Sequence, residues 1–157
     1  MKKTLLIIVS VVLALVLSIV AHFYFYGGKP YIENFDEICD DYEIVAQLAL
    51  NTYAELSPEK EYITIHILGG NLEIHGSDSY LPLTEEQQTA VQIVNKKIGY
   101  LRIYKNAVFF CGDETQYYGL VYSKHPIAAL YKDGLPQAGR EYHRINSMWY
   151  EWGVWGI

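Results

Sequence analysis

The stretch Glu61–Ser77 has the sequence EYITIHILGGNLEIHGS, and it decides the fold because it predicts a β-hairpin. Apolar and polar side chains alternate on both sides of a glycine pair, as in strands that bury one face. A two-residue turn at Gly70-Asn71 would place His66 directly opposite His75. One face then carries Ile63, Ile65, Ile67, Leu72 and Ile74, and the other carries Thr64, His66, Leu68, Glu73 and His75. The sequence therefore predicts an antiparallel sheet with one buried face.

Helices are predicted on both sides of this hairpin. Upstream, apolar residues recur at helical spacing from Asn34 to Leu56, and Ser57-Pro58 ends the pattern. Downstream, Thr84 and Gln87 form a capping-box pattern, and Gly99 closes a second helix. The apolar stripe of that helix consists of Val91, Val94 and Ile98. Because these helices do not alternate with single strands, the order disfavours a doubly wound parallel sheet.

The C-terminal half predicts more strands. Tyr100–Ser123 predicts three strands with turns at Lys105-Asn106 and Asp113-Glu114, and a last hairpin turns at Asn146-Ser147. Residues 124–140 predict a long surface loop, because they contain two Pro and two Gly. The predicted fold is α+β, with one antiparallel sheet of about six or seven strands and two helices packed on one face.

An uncharged, mostly apolar run extends from Thr4 to Tyr26, after Lys2 and Lys3. A helix needs about 20 such residues to cross a bilayer, and the preceding basic residues favour a cytoplasmic N-terminus. We therefore predict a signal-anchor transmembrane helix over residues 1–26, a hinge over 27–33, and an extracytoplasmic α+β domain over 34–157. The alternative is a cleaved export signal, which would leave a secreted protein.

The C-terminal stretch YYGLVYS…YHRINSMWYEW is similar to the β-rich C-terminal stretches of small exported bacterial proteins. That resemblance implies an exported bacterial domain and no particular activity. The chain has 12 basic and 18 acidic residues without a basic cluster in the domain, and this balance disfavours a nucleic-acid partner.

Two cysteines, Cys39 and Cys111, are candidates for a disulfide, because an exported domain with an even cysteine count permits one. The alternative is a pair of buried thiols. The sequence contains no motif for a serine nucleophile elbow, a phosphate loop, a dinucleotide-binding loop or a zinc protease, so no catalytic residues and no cofactor are predicted.

Two small sets of residues are candidates for a site. His66, His75 and Glu73 on the polar face of the hairpin could ligate zinc or copper, although a solvated strand face also needs polar residues. In MWYEWGVWGI, period-2 alternation puts Met148, Tyr150, Trp152 and Val154 on the face that meets the core. Trp149, Glu151 and Trp155 fall on the opposite face and are the candidate contact surface.

Three classes of function are compatible with these patterns. The first is a membrane-anchored extracytoplasmic domain of a small bacterial envelope protein, which binds a protein or cell-envelope partner and has no catalytic motif. The second is a small-ligand or carbohydrate-binding domain, or a hydrolytic one, that uses Tyr and Trp platforms. The third is a pH or metal sensor built on His66 and His75. A concave aromatic cleft would favour the second class over the first.

Overall fold

The computed structural model describes residues 12–17, 32, 34–56, 61–77, 79–112, 118–126 and 141–153. The chain divides into two units, Met1–Glu33 and Asn34–Ile157. In the second unit, the prediction of an α+β fold built on a single antiparallel sheet is confirmed, and the sheet has seven strands.

The second unit begins with a long helix, and its remaining elements follow in the predicted order. The helices are α1 (Phe35–Leu56) and α2 (Glu85–Val94), with the hairpin strands β1 (Ile63–Leu68) and β2 (Asn71–Ile74) between them. The remaining strands are β3 (Tyr100–Tyr104), β4 (Ala107–Cys111), β5 (Tyr118–Ser123), β6 (Glu141–Arg144) and β7 (Trp149–Gly153). The spatial order is β2-β1-β3-β4-β5-β7-β6, and every neighbouring pair is antiparallel.

The turn of the β1–β2 hairpin lies one residue earlier in the chain than predicted. The turn residues are Gly69 and Gly70, with φ values of 59° and 81°, and His66 lies opposite Glu73 instead of His75. A two-residue turn of this kind needs positive φ at both positions, which two glycines adopt without strain from a Cβ atom. Moving the turn by one residue changes every partner by two positions, so the predicted separation of faces is retained.

The apolar face of the sheet packs against α1, and we call it the helix face. Tyr42 of α1 lies against Phe110 of β4, with ring centroids 5.3 Å apart, and Phe35 lies 5.0 Å from Trp149 of β7. The aliphatic residues of β1 and β3 complete this core and are at most 7% exposed: Ile63, Ile65, Ile67, Leu101 and Ile103. Burial of these side chains is the main stabilising term for the fold.

Helix α2 packs against α1 and supports the hairpin turn. Its predicted capping box is confirmed, because Thr84 accepts from the Gln87 backbone and the Gln87 side chain accepts from the Thr84 backbone. The Gln88 side-chain amide donates to the Gly70 carbonyl. This contact holds the turn in place and thereby the end of the hairpin.

The opposite face of the sheet, which we call the far face, carries a second buried cluster. Its members lie on strands β3, β4, β5 and β7: Tyr104, Ala107, Phe109, Cys111, Val121, Tyr150 and Trp152. The C-terminal strand β7 is therefore buried on both faces, with Trp149 on the helix face and Trp152 on the far face. Burial on both faces explains why aromatic residues follow each other along this strand and do not alternate with polar ones.

Most of the predicted transmembrane run, residues 4–26, lies outside the described residues. The described part, residues 12–17, is helical. Within the described residues, no helix combines the length and the apolar character that crossing a membrane requires. The predicted turn at Asp113-Glu114 and most of the predicted loop over 124–140 also lie outside the described residues.

Candidate functional site

One part of the far face is open, and its residues form the candidate site. The far-face side chains are partly or fully exposed on β2, on β1 and at Tyr100 and Arg102 of β3, whereas those on β4, β5 and β7 and Tyr104 of β3 are buried. We call this part the open patch, and its residues are Tyr62, Thr64, His66, Leu68, Glu73, His75, Tyr80, Tyr100 and Arg102. The predicted polar face of the hairpin is thus its centre.

Strand pairing aligns the open patch into cross-strand rows. Tyr80 forms a bridge with Glu73, Glu73 pairs with His66, and His66 pairs with Tyr100. Directly paired residues of an antiparallel sheet point to the same face, so these four side chains form one continuous row. The neighbouring row contains Arg102, which pairs with Thr64.

The open patch is rich in aromatic and apolar surface. Tyr62, Leu68 and Tyr80 are 43%, 47% and 58% exposed, and they are three of the five large apolar residues of the second unit that are exposed among the described residues. The other two, Leu56 and Ile145, lie at separate places in the chain. Exposed apolar side chains that collect on one face mark a contact surface more often than scattered ones do.

Arg102 gives the open patch a positive charge. Its guanidinium carbon lies 5.1 Å from the centroid of the Tyr62 ring, within the range of a cation–π contact. Tyr62 in turn packs against Tyr104, with ring centroids 5.6 Å apart. Among the described residues, Arg102 forms no ion pair, and its Nε has no hydrogen-bond acceptor. The Nε itself is buried, and the side chain as a whole is half-buried.

The two histidines of the open patch contact each other despite the shift in register. His75 lies just beyond β2, where its backbone N–H donates to the Thr64 carbonyl, so it is a diagonal neighbour of His66. The Nε2 atom of His66 and the Nδ1 atom of His75 are 3.1 Å apart, and the ring centroids are 5.3 Å apart. This distance permits either a shared proton or a shared metal ion.

A groove of about 470 Å³ borders the His pair. Its lining includes His75, Ser77 and Ser79 together with Tyr62 and Leu56 at the end of α1. The hydroxyl oxygens of Ser77 and Ser79 are 2.8 Å apart, so they bond to each other. This hydroxyl pair and the exposed Tyr62 ring give the groove both polar and apolar walls.

Of the three predicted metal ligands, His66 and His75 have ring nitrogens in contact, and the metal site stays a prediction. Glu73 lies directly opposite His66 in the sheet, and within the described residues no group of three or more His, Cys, Asp or Glu side chains is arranged to hold a metal ion. The register explains this outcome, because Glu73 occupies the position that the sequence assigned to His75.

The predicted contact surface at the C-terminus is wrong for Trp149. That side chain is 0% exposed and lies between α1 and the helix face of the sheet. The alternation along the strand is as predicted, but both of its faces meet a core. Glu151 is half-buried, and Trp155 lies outside the described residues.

The candidate Cys39–Cys111 disulfide is not formed, since neither cysteine is in a disulfide and the alternative of two thiols is the one observed. Cys111 belongs to the cluster on the far face, whereas Cys39 lies on α1, which packs on the helix face. The sheet separates the two side chains, and a disulfide requires Cα atoms within about 7 Å.

Cys39 is expected to react slowly with thiol reagents. Burial raises the pKa of its thiol, and the carboxylates of Glu43, Asp40 and Asp36 raise that pKa further. A raised pKa leaves less thiolate at pH 8, and the thiolate is the reactive form. Glu43→Gln should therefore speed the reaction of the folded chain with a disulfide reagent by roughly two- to fivefold.

The control for this rate is Glu55→Gln, which removes the same charge near the far end of α1 and should leave the rate unchanged. A rate that rises equally in both variants would contradict the local electrostatic cause. After denaturation without reductant, the same reagent should count two thiols per chain.

A second concavity, of about 380 Å³, lies between α1 and α2. Beside it on α1, Gln47 donates to the Tyr122 hydroxyl over 2.7 Å, and that hydroxyl donates to Glu43 over 3.4 Å. Burial raises the pKa of Tyr122, and the nearby Glu43 carboxylate raises it further. These bonds connect α1 to β5 and explain why the polar end of Tyr122 is tolerated beneath a helix.

Sequence reasoning found the histidines of the open patch but missed Tyr62, Tyr80, Tyr100 and Arg102. These residues join the site only through the pairing of β1 with β3 and through the bridge from Tyr80 to Glu73. The one available signal was the alternation of Tyr100, Arg102 and Tyr104 with the apolar residues of β3. No family model, curated protein or solved structure matches the chain.

Proposed function

We propose that the chain is a membrane-anchored extracytoplasmic domain that binds a protein partner through the open patch. The observation that carries this proposal is the contrast along the far face, which is buried on β4, β5 and β7 but open on β2, on β1 and on β3 as far as Arg102. Aromatic residues and Arg are enriched in protein–protein interfaces, whereas Lys is depleted. The open patch contains three Tyr and one Arg, and it contains no Lys.

The partner should present a carboxylate to Arg102 and an apolar side chain to Leu68. Arg102 is already oriented by the Tyr62 ring, so little side-chain freedom is lost when a carboxylate binds. Leu68 is 47% exposed and lies at the end of β1, where it offers apolar surface beside the polar rows. An acidic partner surface with an apolar centre complements both groups.

The size of the open patch favours a weak contact. Strands lie about 4.8 Å apart and rise about 3.3 Å per residue, so the patch measures roughly 300 Å². A stable complex buries about 800 Å² on each partner. A membrane anchor compensates for this small area, because it keeps the domain at high effective concentration near a partner at the same membrane.

Residues 4–26 are proposed as that anchor, with the N-terminus in the cytoplasm. The described part of the run, residues 12–17, supports the proposal, since it is helical and its large side chains are all apolar and exposed. Val12, Leu13, Leu15, Val16 and Leu17 are between 50% and 59% exposed. Apolar helical surface of this kind is stable in lipid and costly in water. The alternative remains a signal that is cleaved to release a secreted domain.

Binding of a carbohydrate or another small ligand is the second candidate function. The observation that favours it is the exposure of the Tyr62 and Tyr80 rings, which could stack on a sugar. The groove at His75, Ser77 and Ser79 adds hydroxyl and imidazole groups that could bind its hydroxyls. This candidate predicts soluble oligosaccharide binding without any protein adduct.

Photo-crosslinking in intact cells tests the proposal. A photoreactive amino acid replaces Leu68 in the full chain, and the matched control replaces Asn51, which is exposed on α1. We expect a discrete protein adduct from Leu68 alone, and the adduct should sediment with membranes. Adducts of equal yield from both positions, or none from Leu68, would contradict the open patch as the contact surface. An adduct in the soluble fraction would instead favour the cleaved form.

A further inference from the structure

We propose that His66 and His75 bind one divalent transition-metal ion, of the zinc and copper class, through Nε2 of His66 and Nδ1 of His75. Imidazole nitrogen is a preferred ligand of both metals. This inference stands apart from the proposed protein partner, because the two ligands come from one hairpin of this chain.

The distance between the two nitrogens fits a shared metal ion. Each zinc–nitrogen bond is about 2.0–2.1 Å long. Two nitrogens 3.1 Å apart then subtend an angle of about 100° at the metal. That angle lies between the 90° of adjacent ligands in a square-planar site and the about 109° of a tetrahedral site. The separation of the two nitrogens therefore already matches that of two ligands on one metal ion.

The backbone holds both rings in place before any metal binds. His66 lies in the middle of β1, between Glu73 and Tyr100 on the neighbouring strands. The His75 N–H donates to the Thr64 carbonyl over 2.9 Å, and the following turn has Gly76 at a φ of 82°. A site whose ligands are positioned by strand pairing loses little entropy when it binds.

The remaining coordination positions face solvent. His75 is exposed, and the adjacent groove contains the hydroxyls of Ser77 and Ser79. Among the described residues no third His, Cys, Asp or Glu joins the pair, which leaves coordination positions for water or another donor. An open position of this kind also allows a donor from outside to reach the metal.

Calorimetric titration of the full chain in detergent, without a histidine tag, tests this site with ZnCl₂ and with CuCl₂. We expect one equivalent of metal per chain. His66→Gln and His75→Gln should each weaken binding by at least about tenfold. His143→Gln, which removes an exposed imidazole from β6, should change it by less than twofold. Electron paramagnetic resonance of the Cu²⁺ complex should show two nitrogen ligands, and one in either hairpin variant.

Gln is chosen because it keeps the polarity and approximate size of His at these positions. The thermal midpoint of each variant shows whether it folds. Equal metal affinity in the folded wild-type, His66→Gln and His75→Gln chains would overturn the proposal, and so would the absence of binding in the wild-type chain. Loss of the protein adduct from Leu68 would leave this result unaffected, so the two proposals fail separately.

Discussion

Trp149→Ala should lower the free energy of unfolding by about 3–5 kcal/mol. Trp149 is 0% exposed and is the largest fully buried side chain among the described residues. Its ring lies 5.0 Å from Phe35, 6.2 Å from Tyr42, 5.4 Å from Phe110 and 5.0 Å from Tyr122. Removing it leaves a cavity where α1 meets the sheet, and the surrounding rings can fill that space only in part.

Urea denaturation of the full chain in detergent measures this loss. Trp149→Phe should cost less than Trp149→Ala, because it keeps a ring and removes an indole N–H that has no acceptor among the described residues. Tyr80→Ala, at a side chain that is 58% exposed, should change the free energy of unfolding by less than about 0.5 kcal/mol. A loss below 1 kcal/mol for Trp149→Ala would contradict its place in the core.

Gly119→Ala should lower the free energy of unfolding by at least about 3 kcal/mol. A Cβ atom at Gly119 would overlap the Phe110 carbonyl oxygen on β4 and would lie 2.8 Å from the indole nitrogen of Trp152 on β7. The backbone atom of a central strand cannot move aside without breaking its ladder. The methyl group therefore forces apart β4, β5 and β7 where the far-face cluster is most tightly packed.

The matched control for Gly119 is Gly69→Asn. Gly69 has a φ of 59°, which Asn tolerates, and no atom lies within 4 Å of the position of its Cβ. This variant should change the free energy of unfolding by less than about 1 kcal/mol. Similar losses for Gly69→Asn and Gly119→Ala would mean that close packing between strands is not the cause.

Local patterns predicted the elements that short-range interactions specify. The capping box at Thr84 and Gln87 forms as predicted, because both partners lie within one helical turn. The turn at Lys105-Asn106 connects β3 to β4 as predicted, and Leu101 faces Phe110 across it. These features depend on neighbours a few residues away, so a single sequence contains enough information to place them.

Features that depend on distant contacts were harder to predict. The hairpin turn shifted from Gly70-Asn71 to Gly69-Gly70, since both dipeptides satisfy the turn and local sequence does not choose between them. The burial of Trp149 depends on α1, which lies more than 90 positions earlier in the chain. Period-2 alternation identified the two faces of β7 but could not show that each face meets a core.

The candidate site was predictable in part. His66 and His75 were placed on one polar face, and the structure brings their nitrogens within 3.1 Å. Arg102 and Tyr100 could not be assigned to that face from the sequence, because α2 separates β1 from β3 in the chain. A site assembled across such an insertion appears only when the strand order is known.

Charge reversal within the open patch tests the central claim most directly. The measurement is the yield of the adduct from the photoreactive group at Leu68, in cells that carry either Arg102→Glu or Lys105→Glu in the full chain. Both variants replace one positive charge by one negative charge. Lys105 serves as the control because it is exposed at the β3–β4 turn, outside the open patch. We predict at least about a fivefold loss of yield for Arg102→Glu and no loss for Lys105→Glu. Equal yields in the two folded variants would contradict binding of an acidic partner through the open patch.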